Sequence, residues 1–134
     1  MASVRARSRD ERGSAAVEFA LVLPLLLMLI FGIIDFGRML NDKITLTEAA
    51  REGARSAALQ TAADGIARAK VLTADVGPTT ETITDCTDDA ATQAEATINY
   101  NFRFVTPIGF MAGFLSGGNN TVPLQAKSVM PCLH

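Results

Sequence analysis

Histidine is almost absent from this 134-residue chain, and the one present, His134, is the last residue. Cysteine occurs only as Cys86 and Cys132. No cluster of the two types has metal-ligand spacing. Asp85, Asp88 and Asp89 lie close together but lack the glycine and distal glutamate of a calcium loop, so they read as a solvated acidic loop. No glycine-rich phosphate loop occurs, and Ser14 and Ser56 have no base nearby in sequence. These gaps argue against an enzyme: no catalytic residue, no metal and no cofactor are expected. The formal net charge of −2 is too small to argue for nucleic acid as a partner. Asn119-Asn120-Thr121 fits a glycosylation sequon only formally, because the pattern is common by chance.

What charge there is changes sign along the chain. Arg5, Arg7, Arg9 and Arg12 face only Asp10 and Glu11 at the start, whereas Asp75 to Tyr100 contains acids and no Lys or Arg. A basic beginning and an acidic later segment fit a chain whose ends face different compartments.

Between them, Phe19 to Ile34 carries no charge at all. The apolar run from Ala15 to Ile34, as a helix rising 1.5 Å per residue, spans about 30 Å, the thickness of a bilayer core. Glu18 is its only acid, one turn from the start. The four leader arginines have no equal after the run, where Asp35, Arg38, Asp42 and Lys43 balance, so the N-terminus is expected in the cytoplasm. A cleaved secretory signal is disfavoured because DFGRMLNDK, after Ile34, has no small-x-small site. A buried helix of a soluble protein is disfavoured because the run is apolar on every side. Pro24 is expected to bend the helix.

From Asp35 to about Ala74 there is no proline, and Ala, Leu, Glu and Arg abound. This predicts a long helix leaving the membrane and stopping near Gly77-Pro78. Leu46, Ala49 or Ala50, Gly53 and Ala57 form one face of small residues. That face suits packing either on the protein's own domain or against a neighbouring helix. Beyond Pro78, strands are expected at Thr80–Thr84, Thr97–Val105 and Thr121–Met130, the last with Pro123 marking an edge. The apolar connection TPIGFMAGFLSGGNN is left open between covering the sheet, touching the membrane and meeting a partner. The expected division is a basic leader at 1–13, a transmembrane helix at 14–35, an extended helical stalk at 36–76 and a small strand-rich domain at 77–134. The fold class is α+β: a long N-terminal transmembrane helix continuing into an extracytoplasmic helix, then a small antiparallel sheet. An outer domain of about 60 residues is marginal without help. Two cysteines in such an exported domain favour a disulfide between Cys86 and Cys132, with two unrelated buried thiols as the other reading.

The stretch Glu11 to Ala20, ERGSAAVEFA, resembles the start of TadE-like proteins, as does the end of the apolar run, Phe31 to Arg38. Glu48 to Arg55, EAAREGAR, resembles the block that follows the membrane helix in that family. The C-terminal half matches only loosely. The resemblance implies a pseudopilin or minor pilin of the tight-adherence (Flp-type) pilus system in the bacterial cytoplasmic membrane. It also implies processing by a prepilin peptidase, and contacts with other pilin or pseudopilin subunits and with the assembly platform. Pilin-like proteins are cleaved after a glycine, with a glutamate fifth in the mature chain and an aromatic next. Gly13, Ser14, Glu18 and Phe19 meet that pattern in full. Cleavage there would remove all four leader arginines and leave Glu18 as an acid among apolar neighbours, one that tends to find a cation such as a Ser14 amine. The plainer alternative is that Glu18 snorkels to the interface and Gly13 is a linker. A function of another kind also fits: a single-pass membrane protein with an extracytoplasmic binding domain that never enters a pilus.

Overall fold

The computed structural model describes residues 7–88, 90–115, 118 and 120–132. Arg5, Asp89, Asn119 and His134 lie outside them. Helix α1 (Arg7–Leu59) is followed by α2 (Ala62–Leu72), β1 (Thr79–Thr84), β2 (Gln93–Arg103), α3 (Pro107–Leu115) and β3 (Thr121–Pro131). The expected α+β architecture is what forms: a long apolar helix that continues, then a small three-stranded antiparallel sheet.

Helix α1 passes through Pro24 without ending. It already includes Arg7 to Gly13, so the latter half of the leader is helical. The expected continuous stalk does not form. The chain leaves α1 at Leu59, and Thr61, with extended backbone (φ −131°, ψ 162°), caps α2 by accepting a bond from the Asp64 amide. Its hydroxyl also donates to Asp64 Oδ2 at 2.6 Å. This Thr-x-x-Asp box satisfies an orphan donor of the new helix and lets α2 double back along α1. Glycine makes the return fit. A Cβ on Gly65 would lie 2.7 Å from the Gly53 carbonyl oxygen and 3.1 Å from Ala57 Cβ. Arg68 on α2 pairs with Glu52 on α1 at 3.1 Å.

The strands lie in the order β1-β2-β3, with Glu81 opposite Ile98 and Tyr100 opposite Leu124. β3 is an edge strand, and Pro123 is tolerated there without disturbing a second ladder. The even-numbered residues of β2 and β3 turn toward the helices, with Ala94, Ala96, Ile98, Phe102 and Ala126 buried. Opposite them α1 buries Leu46, Ala49, Ala50, Ala54 and Ala57. A core so rich in alanine brings helix and sheet close together. The small face of α1 therefore packs on the protein's own domain, one of the two readings its spacing allowed.

Candidate functional site

Three places along the long axis carry the residues of interest. At the start of α1, Gly13, Ser14, Glu18 and Phe19 lie on bare helix. Phe19 is 64% exposed, and a Cβ on Gly13 would meet nothing within 4 Å. Among the described residues Glu18 has neither a hydrogen-bond nor an ion-pair partner. This helix is long and apolar enough to cross a membrane, and none of its most apolar stretch is buried within the chain.

The second place is where the apolar run meets the sheet, about 33 Å along α1 from Gly13. Asp35 is only 2% exposed. Its carboxylate accepts bonds from the Val105 and Thr106 amides, each 3.3 Å, and from the Thr106 hydroxyl. Those groups follow the last residue of β2, where the ladder no longer uses them. Arg38, one turn on, stands 3.8 Å from the same carboxylate and 5.6 Å from the Phe102 ring centre. Phe102 in turn meets Phe104 edge to face, with ring centres 5.4 Å apart. Asp35 thus ties the end of β2 to the end of the apolar run. Burying a carboxylate is costly unless it is hydrogen-bonded, and here three donors compensate it. The sequence reading treated Asp35 as one of four balancing charges and missed this role. The available signal was an acid directly behind an apolar run, with free backbone donors ahead of Pro107.

The third place is the distal end of the domain, beyond Leu59. Cys86 and Cys132 form a disulfide there, with Cα atoms 5.7 Å apart and a sequence separation of 46. It joins the ends of the outer strands β1 and β3 across the start of β2, where the Cys132 amide also donates to Thr92 O at 3.1 Å. Beside it Asp85 accepts the Ala62 amide at 2.7 Å, at the positive end of α2, and the Thr87 hydroxyl at 2.6 Å. These bonds, the Thr87 hydroxyl first, hold the Asp85 carboxyl below the ordinary aspartate range. Its oxygens are thereby engaged within the fold, and Asp88 Oδ1 accepts the Ala90 amide at 3.3 Å. Among the described residues no three His, Cys, Asp or Glu side chains gather as a metal site. Ser56 lines an open cleft between α1 and α2 with Glu52, Arg55, Asp64 and Arg68, where Glu52 is held in ion pairs by both arginines.

A family model described as TadE-like protein matches residues 13–55. No curated protein and no solved structure matches. The matched stretch runs from the Gly13 pattern through the apolar run and the Asp35 junction to the small-residue face, and stops before α2 and the sheet. TadE-like proteins suggest involvement in the tight-adherence (Flp-type) pilus system and association with a membrane. Over residues 13–55 the chain is similar to TadE-like proteins, in agreement with the resemblance of its motifs.

Proposed function

We propose that the chain is a non-enzymatic, membrane-anchored pseudopilin or minor pilin needed to assemble a tight-adherence pilus. The observation that carries this reading is the Gly13-Ser14…Glu18-Phe19 pattern at the head of a bare apolar helix, inside the TadE-like match. A prepilin peptidase cuts after Gly13. Because Gly13 sits within α1, the helix must open locally for the cut, and glycine, apart from proline, is the residue that least resists opening. Loss of Arg5, Arg7, Arg9 and Arg12 removes the charge that holds the N-terminus on the cytoplasmic side, which eases extraction from the bilayer. The sheet domain lies outside, where Cys86 and Cys132 stay oxidised. The bare faces of α1 then pack on other pilin or pseudopilin subunits, delivered by the assembly platform.

The test is the intact mass of chain extracted from membranes of cells with an active prepilin peptidase. A chain beginning at Ser14 is expected. Retention of Arg5 to Arg12 would overturn the pilus reading in favour of a plain membrane anchor carrying a binding domain.

A further inference from the structure

The membrane-proximal corner of the domain holds an apolar element that the pilus role leaves unused. Helix α3 starts directly after Thr106, the residue bonded to Asp35. Its Ile108 Cδ1 lies 3.6 Å from the position a Cβ on Gly32 would take. Gly32 lies within the uncharged run Phe19–Ile34, so α3 begins beside the apolar run and below the acid that ends it. No charged residue occurs between Arg103 and Lys127. Val105 is 72% exposed and Phe114 85% exposed, with Met111 about half so. The surface of α1 next to it is exposed and apolar too, and Leu29, Ile33, Phe36 and Leu40 flank a shallow groove floored by Gly32 and Gly37. One apolar surface therefore runs without a charged break from the span onto α3.

We infer that α3 is an interfacial helix whose exposed side chains Met111 and Phe114, with Val105 just ahead of it, lie among lipid acyl chains, in the leaflet that faces the sheet domain. The inference rests on reading α1 as the membrane span. The depth of Gly32 decides the occupant: what surrounds the chain at that level is the bilayer, while the chain remains in it. Large exposed apolar groups on a short element beside a span are stable in the boundary between headgroups and acyl chains. Arg38, half-exposed and one turn above Asp35, is placed at headgroup level, where its guanidinium, which stands over the Phe102 ring, can also meet lipid phosphate. The Asp35 bonds to Val105 and Thr106 hold the start of α3 at this depth. The sheet is thereby docked down onto the membrane surface by its β2–β3 connection.

The chain has no tryptophan, so single-tryptophan variants report cleanly. Phe114→Trp, Met111→Trp, Leu26→Trp in mid-span and Leu59→Trp at the distal end are each placed in the full chain. Each is reconstituted into phosphatidylcholine vesicles with acyl chains brominated at shallow or deep positions. Emission from Phe114→Trp and Met111→Trp is expected to be blue-shifted, quenched most by shallow bromines and shielded from aqueous acrylamide. Leu26→Trp should be quenched most by deep bromines, and Leu59→Trp by acrylamide alone. If the α3 tryptophans behave like Leu59→Trp while Leu26→Trp is lipid-quenched, the inference fails and the span stands. If they escape both quenchers only as the protein-to-lipid ratio rises, a second copy covers α3 and the inference fails. If Leu26→Trp is not quenched by lipid, the span reading fails and takes the inference with it.

Discussion

The two halves of α1 are one helix in two environments. From Gly13 to Ile34 every side chain is exposed except for partial cover at Phe31 and Gly32, although almost all are apolar. From Asp35 on, one face is buried, at Leu46, Ala49, Ala50, Gly53, Ala54 and Ala57, and the other carries Glu48, Arg51 and Arg55. Apart from α3 beside Gly32, the first half has no partner among the described residues and requires lipid or other helices around it. The second is a one-faced helix whose partner is the chain's own sheet and α2. The contrast places stability in the second half and leaves the first bare, and perturbations can be ordered by how far they reach into the domain.

The disulfide should matter most. In the chain-entropy account, closing its loop contributes about 4 kcal/mol, a large share of what so small a domain possesses. Thermal melts of detergent-solubilised protein with and without reductant should show the sheet domain losing its transition or melting far lower once reduced. The helical signal of the apolar half should persist. Equal melts would show that the alanine core alone suffices.

The next effect is at the helix return. Gly65→Ala places a methyl carbon against the Gly53 carbonyl, a backbone atom that cannot step aside, and against Ala57. Overpacking of this kind costs roughly 1–3 kcal/mol. A lower domain melting temperature with unchanged membrane insertion is expected. An unchanged melt would mean that α2 is not held against α1 as described.

Asp35→Ala reaches the boundary between the halves. It strands the Val105 and Thr106 amides and the Thr106 hydroxyl, at a cost of about 1–3 kcal/mol for buried donors left unsatisfied. Amide hydrogen exchange should accelerate at Val105 and Thr106 before it does in β2. Protection that stays as in the parent would remove Asp35 from its role as the tether.

How much of this was readable beforehand depends on the range of the forces involved. The apolar run announces itself because its reason is composition over a long window. The alternation of Ile98, Tyr100 and Phe102 announces β2, which runs Gln93–Arg103 where Thr97–Val105 is expected, and Pro123 announces an edge, because those signals are local. The paired cysteines followed from their count and from the expectation of an exported domain. The break at Thr61 was overlooked because alanine-rich sequence favours helix on both sides of it. The deciding facts are a single capping box and a glycine contact across a fold that sequence order does not show. Asp35 was overlooked for a related reason: its partners lie 70 and 71 residues away. Helix α3 left a local trace, Pro107 at its first position after Thr106, masked by the glycines that follow.

The smallest expected effect on the fold belongs to Glu18, and it tests the assembly reading of the bare half. Glu18 touches no part of the domain, so Glu18→Gln should leave the melt of the sheet domain unchanged. A plain anchor gains nothing from a carboxylate near the start of its span. Moving an acid toward the bilayer centre costs about 3 kcal/mol on insertion scales, so the amide should insert at least as well. A pilus subunit is different, because there the acid pairs with a mature N-terminal amine and sets the helix register as subunits dock. Removing one partner of such a pair leaves a cation poorly matched in an apolar bundle, at a cost of a few kcal/mol. Expression, insertion and processing should therefore stay near parental levels while surface pili and adherence fall. The measurement is piliation and adherence in a strain whose only copy carries Glu18→Gln. Normal pili made with a stable, correctly processed variant would show that the bare half of α1 is an anchor and no more.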